Sequence, residues 1–181
     1  MAGRDGGPER IDPRRFGGRL IRIIFSDVDG VLTDGTVTYD DRGGESKTFH
    51  TRDGLAIKRW RDSGGRFAVV TARSSEALRR RCDELGVDDL VQSAADKTSE
   101  CERILTRHGL TWADAAYVGD DLPDAGPMTR CSLAFCPRDA AADIRNLATT
   151  ISDVDGGRGV IRDLVERLMR DAGTWPTPPT R

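Results

Sequence analysis

The pentapeptide SDVDG occurs twice in the chain, at Ser26–Gly30 and at Ser152–Gly156. Two carboxylates spaced by one residue on an extended segment share a face, so both can reach one ligand. Beside a sheet core such a pair is costly without a cation or a hydrogen-bonding partner. Asp27 and Asp29 directly follow the apolar run Leu20–Phe25 (LIRIIF). Asp153 and Asp155 follow the weaker run Ala148–Ser152 (ATTIS) and lead into Gly156-Gly157-Arg158-Gly159. The first copy is therefore the candidate site, and the second reads as a polar turn approaching a helix. Three further stations fall at the ends of apolar runs: Thr71 closes FAVVT, Lys97 follows Val87–Val91, and Asp120-Asp121 follows AAYV. Converging carboxylates would hold a hard cation such as Mg²⁺, with several of its waters retained. A lysine and a hydroxyl beside that ion are what a transferring phosphoryl group needs.

Strand ends are what could bring these residues together. Leu20–Phe25 and Phe67–Thr71 read as buried strands rich in β-branched and aromatic residues, with Val87–Val91, Ala115–Val118 and Leu133–Phe135 as shorter ones. Asp53 is the expected cap of a helix over Gly54–Asp62, stopped by Ser63-Gly64-Gly65. Ser74 or Ser75 caps a second helix, with Ala77, Leu78, Cys82 and Leu85 at helical spacing and Gly86 at its end. Asp96–Arg107, Asp139–Leu147 and Val160–Asp171 are the other predicted helices, and Thr111 caps a single turn. Thr36–Tyr39 and Glu45–His50 flank Asp40–Gly44 as a β-hairpin. Strands alternating with helices predict an α/β fold, a Rossmann-like three-layer sandwich around a mainly parallel sheet, plus the small hairpin insertion. Ligands of such sheets bind beyond the carboxyl ends of the strands, where all the singled-out residues fall.

The whole chain narrows the partners. It has 181 residues, the length of one domain, and a net charge of −2 that provides no broad field for nucleic acid or a membrane surface. No apolar run is long enough to span a bilayer, and no charged-then-apolar signal opens the chain, so a cytoplasmic location is expected. Residues 1–18 are the expected flexible leader, 19–172 the folded domain with its hairpin insertion at 36–50, and 173–181 a Pro-rich tail. Cys82, Cys101, Cys131 and Cys136 show no CxxC spacing and fit buried thiols in a reducing compartment. His50 and His108 fit structural or surface positions.

Taken in order, Asp27-Val28-Asp29-Gly30-Val31-Leu32-Thr33-Asp34-Gly35, Thr71-Ala72-Arg73, Lys97 and Gly119-Asp120-Asp121-Leu122-Pro123-Asp124 resemble the four motifs of the haloacid dehalogenase superfamily of phosphatases. The longer phrases DVDGVLTDG, FHTRDGLAIKRW and GGRGVIRDLVE are similar to one branch of it. That branch comprises the 3-deoxy-D-manno-octulosonate 8-phosphate phosphatases and relatives acting on nine-carbon sugar-acid phosphates. The resemblance implies a Mg²⁺-dependent phosphomonoesterase in which Asp27 is the nucleophile and forms an aspartyl-phosphate. Asp29 would be the general acid for the sugar alkoxide and then the base for water. Asp27, the main-chain carbonyl of Asp29 and Asp120 would hold the ion, with Asp121 acting through water. Thr71, Lys97 and the N–H groups around Gly30 would bind the phosphoryl oxygens. Arg52, Arg73 and Arg81 are candidate substrate contacts, since a sugar-acid carboxylate suits an arginine fork. Arg73 stands where the octulosonate enzymes have the arginine of Thr-Gly-Arg. The chain departs from the pattern at Ala72, which replaces the usual glycine, and at Glu84, where some nine-carbon enzymes place a lysine.

The insertion is too short for a cap domain. The resembled branch closes its sites as homotetramers whose hairpins form a central barrel, and the apolar Val37, Tyr39 and Phe49 suit such burial. The expected partner is thus a small phosphorylated sugar acid, with no nucleic acid and no membrane. Two other readings stand beside this one. The same chemistry could serve a nine-carbon sugar-acid 9-phosphate or another sugar phosphate. A non-catalytic regulatory or assembly domain linked to sugar-acid activation is the second, and the intact Asp27, Asp29, Lys97 and Asp120 set argues against it.

Overall fold

The computed structural model describes residues 15, 16 and 18–176, so most of the expected leader and the end of the expected tail lie outside the described residues. An antiparallel pair, β1 (Arg15–Phe16) and β2 (Arg19–Leu20), precedes the central strand β3 (Ile23–Ser26). The hairpin β4 (Thr38–Tyr39) and β5 (Glu45–Ser46) leads to helix α1 (Thr51–Asp62). Then come β6 (Arg66–Val70), α2 (Glu76–Leu85), β7 (Asp89–Val91), α3 (Lys97–Arg107) and β8 (Ala115–Val118). The chain continues through α4 (Ala125–Arg130), β9 (Leu133–Cys136), α5 (Ala142–Leu147), β10 (Thr150–Ile151) and α6 (Val160–Asp171). Six strands form one sheet in the order β10-β9-β8-β3-β6-β7, and every neighbouring pair is parallel.

The period-two alternation of the strands builds two cores. Ile24, Val69, Ala116 and Val118 face one side, where Ala56, Ile57, Trp60, Leu78, Ile161, Leu164 and Leu168 of α1, α2 and α6 cover them. Ile23, Phe25, Ala68, Val70 and Tyr117 face the other, under Cys101, Ile104, Leu105, Met128 and Ile144 of α3, α4 and α5. Helices on both faces are what a parallel sheet requires, because each crossover must return over the sheet. β3 is buried along its whole length, with β6 and β8 on either side. Its carboxyl end therefore opens at the middle of the rim.

Several local expectations are corrected. Asp53 does not cap α1: His50 does, its ring nitrogen accepting the Arg52 N–H at 3.2 Å. The Asp53 carboxylate instead accepts the N–H of Arg162 at 2.8 Å, in the first turn of α6. That turn needs an outside acceptor, because the residue preceding α6 is Gly159, which has no side chain to cap with. The expected helix over 139–147 shortens to α5, and the expected strand over 20–25 divides between β2 and β3. Helix α4 was not foreseen; Pro127 within it hides its pattern. Phe49 packs on the chain's own core, not outward, whereas Val37 and Tyr39 are exposed. Ser75, Gly86 and Thr111 cap as expected, whereas Asp96, expected inside its helix, stands before it as the cap of α3.

Candidate active site

The rim above β3, β6 and β8 is built from the ends of those strands. Asp27 leaves β3 with its N–H bonded to the Val118 carbonyl of β8 at 2.9 Å, and Thr71 leaves β6 with its N–H on Val91 of β7 at 3.0 Å. After Asp29 the chain turns sharply: the N–H groups of Val31 and Thr33 both reach back to the Val28 carbonyl. Gly30 adopts φ +87° in that turn, and any side chain on it would overlap the Asp120 carboxylate. An open pocket of 270 Å³ results, lined by Asp27, Asp29, Gly35, Thr71, Ala72, Arg73, Lys97, Asp120, Asp121 and Pro123.

One buried lysine organises the floor. Lys97, the first residue of α3, places its ammonium 2.9 Å from Asp27 Oδ1 and 2.7 Å from Asp124 Oδ1. Asp124 is fully buried and fully used. Its Oδ1 also accepts the Tyr117 hydroxyl at 2.7 Å, while its Oδ2 accepts the N–H groups of Asp120 at 3.0 Å and Asp121 at 3.4 Å. Burial and the Asp124 charge push the Asp27 pKa up to about 6, against the pull of Lys97. Burial draws the Lys97 pKa down, but the Asp124 and Asp27 carboxylates outweigh it and leave it raised. Asp120 is pushed up to about 8, by burial first and then by the Asp27 and Asp124 charges.

These carboxylates suit a divalent cation. Asp27, Asp120 and Asp124 each bring an oxygen within 4.8 Å of the others. Both Asp124 oxygens are already bonded, so Asp27 and Asp120 are the side chains left to coordinate. Burial first, and then the neighbouring Asp27 and Asp124 charges, make an ionised Asp120 costly here, and a hard oxygen-seeking ion such as Mg²⁺ would relieve both.

Asp27, Asp29, Gly30, Thr71, Arg73, Lys97, Asp120 and Asp121 thus meet around one turn and one pocket. Arg52 and Arg81 do not line it. Arg52 is exposed at the start of α1, and Arg81 pairs with Glu84 at 2.8 Å beside an adjoining groove shared with Lys47 and Arg80. The second SDVDG copy spends its acids elsewhere: Asp153 pairs with Arg167 and Asp155 with both arms of Arg138. Yet the copies touch, since a side chain on Gly156 would overlap the Gly30 carbonyl, and the Gly157 N–H donates to Val31 at 2.9 Å. Two residues of the site escaped the sequence reading. Asp124 closes the quoted motif four residues after Asp120, a spacing that could have drawn attention. Lys47, whose buried ammonium contacts Asp29, carries no local signal among 28 lysines and arginines.

An aspartate at the end of β3, a second acid two residues on, a strand-end threonine and a helix-start lysine on this sheet are the residue set of the haloacid dehalogenase class of hydrolases. No family model matches the chain. It is 35% identical over 153 residues to a curated 3-deoxy-D-manno-octulosonate 8-phosphate phosphatase of Haemophilus influenzae, a match spanning 84% of this chain and 85% of that protein. A crystal structure of the 3-deoxy-D-manno-octulosonate 8-phosphate phosphatase from Moraxella catarrhalis, with magnesium, phosphate and KDO, superposes with a TM-score of 0.81. It is 32% identical, covering 84% of this chain and 87% of that one. The cobalt-bound Haemophilus influenzae phosphatase gives a TM-score of 0.82 at 35% identity, covering 84% and 90%. The chain belongs to the 3-deoxy-D-manno-octulosonate 8-phosphate phosphatase family.

Proposed function

We propose that this protein is a Mg²⁺-dependent phosphomonoesterase that hydrolyses 3-deoxy-D-manno-octulosonate 8-phosphate through an aspartyl-phosphate. The observation that carries the reading is the Lys97 ammonium held between buried Asp27 and Asp124 on the floor of the pocket. In the first step an Asp27 oxygen attacks phosphorus, and the bond to the sugar oxygen breaks. Asp29 supplies the proton that this poor leaving group needs. Lys97 and the Thr71 hydroxyl hold phosphoryl oxygens, with charge matched to charge. In the second step Asp29, now a carboxylate, takes a proton from water as that water displaces Asp27 from phosphorus. Asp27 and Asp120 would hold the bound ion, which neutralises charge between an anionic nucleophile and an anionic ester. Arg73, on the pocket wall, is the contact we assign to the sugar-acid carboxylate; Arg52 and Arg81 are assigned to the approach.

The reading includes a cytoplasmic homotetramer. It is supported by Val37 and Tyr39, which the hairpin leaves exposed. Among the described residues no helix is long and apolar enough to cross a membrane. The test is phosphate release, with and without Mg²⁺, from eight- and nine-carbon sugar-acid phosphates, hexose phosphates and p-nitrophenyl phosphate, with Asp27→Asn as control. Mg²⁺-dependent turnover greatest on the octulosonate ester and lost in the variant is the expected result. Preference for a nine-carbon ester would remove the substrate. Inert, folded, Mg²⁺-loaded protein would remove the enzyme. Sedimentation equilibrium reads the oligomer.

A further inference from the structure

We propose that Lys47 of the hairpin is a positioning residue for Asp29. It holds one carboxylate oxygen so that the other is presented to the leaving group. This rests on the reading of Asp29 as proton donor. Lys47 lies just beyond β5 with its side chain only 2% exposed, an unusual place for an ammonium on so small an insertion. Its Nζ contacts Asp29 Oδ1 and stands 3.3 Å from Glu45 Oε1. Glu45 Oε2 accepts from Arg73 Nη2 at 2.9 Å, and Arg73 Nε stands 3.8 Å from Asp29 Oδ2. Asp29, Lys47, Glu45 and Arg73 therefore close a ring of alternating acidic and basic side chains. The ring ties the turn after β3, the hairpin and the loop after β6 to one another.

The two oxygens of Asp29 are treated differently. Oδ1 has the Lys47 ammonium and the Thr33 hydroxyl, at 3.4 Å, as donors. Among the described residues, the buried Oδ2 has no hydrogen-bond partner, and neither has Arg73 Nε opposite it. Fixing Oδ1 fixes both side-chain torsions of an aspartate, and so fixes where Oδ2 points. Oδ2, left without a donor, is the oxygen free to carry the acid's proton, and a proton donor must sit within hydrogen-bond reach of the atom it protonates. When the O–H bond at Oδ2 breaks, the proton goes to the sugar oxygen as its bond to phosphorus breaks. The charge left on Asp29 spreads to Oδ1, beside the Lys47 ammonium, which is already in place and need not reorganise.

Leaving-group dependence separates this role from a structural one. An alkoxide leaving group needs the proton, whereas p-nitrophenolate departs nearly as well without it. K47M and D29N would be compared with the wild type on the octulosonate 8-phosphate and on p-nitrophenyl phosphate, with folding checked by far-UV circular dichroism. For K47M the ratio of kcat on the sugar ester to kcat on the aryl ester should fall about 30-fold or more, with D29N shifting it the same way and further. Equal loss on both esters, or a rise in KM for the sugar ester alone, would overturn the proposal; the latter would make Lys47 a substrate contact. Wild-type protein inert on sugar phosphates, or D29N lowering both esters alike, would instead overturn the reading beneath it. K47Q, which keeps a donor without the charge, is read in the same way should K47M fail to fold.

Discussion

Replacing Asp53 by asparagine should change how the protein's stability responds to pH. Asp53 is 2% exposed, and burial, opposed by the N–H groups of Arg162 and Ile161 and the charges of Arg81 and Arg162, pushes its pKa up from 3.8 to about 6. Its Oδ2 is buried without a hydrogen-bond partner among the described residues. The folded chain therefore holds this proton more tightly than the unfolded one. The stability it contributes is fully present below pH 3.8 and is lost as pH rises through about 6. A shift of about two units corresponds to about 3 kcal/mol in total, of which about 1.5 kcal/mol is lost between pH 5 and pH 8. Asparagine cannot ionise, yet it keeps an oxygen for the Arg162 N–H. The assay is urea unfolding of both proteins at several pH values from 5 to 8, at constant ionic strength. The variant should gain on the wild type as pH rises, by about that 1.5 kcal/mol. Parallel profiles would refute the reasoning, because they would mean that the buried carboxylate ionises as freely folded as unfolded.

Asp124→Asn should cut kcat about 100-fold by releasing one of the two anchors of Lys97, and should lower stability by about 3 kcal/mol, read by steady-state kinetics and urea unfolding. Tyr117→Phe removes only the hydroxyl bonded to Asp124 and should cost about 1 kcal/mol in the same unfolding assay. Gly156→Ala must displace the Gly30 carbonyl; isothermal titration should show weaker Mg²⁺ binding, while Asp153→Asn and Asp155→Asn leave it unchanged. Chelation of the purified protein should stop phosphate release, and added Mg²⁺ should restore it.

The frame of the molecule was legible because its signals are local. LIRIIF, FAVVT and AAYV are β-branched or small apolar runs that read as buried strands, and Ser75 and Gly86 are caps whose partners lie within a turn. Asp53 was legible as a capping acid but not for its helix, because its partner Arg162 is 109 residues away. The same distance effect hid Lys47, which meets Asp29 only when the hairpin folds back over the rim. The meeting of Asp27 with Lys97 was readable from order along the chain. The hub Asp124 was not, since its work is to bond Tyr117, Lys97 and two N–H groups that converge only in the fold.

The contact of Gly156 on Gly30, and of Gly30 on Asp120, backs the Asp120 side of the pocket with main chain that leaves no room for an added side chain. A binding site can be reshaped only where side chains project into it. Here the side chains open to change are Arg73 in the pocket and, beyond it, Glu45 and Lys47 of the hairpin and Arg80 and Arg81 of α2. Any descendant of this chain that takes a longer or shorter sugar must therefore change along the hairpin and α2. The turn after β3 and the loop before α6 would travel with it unaltered.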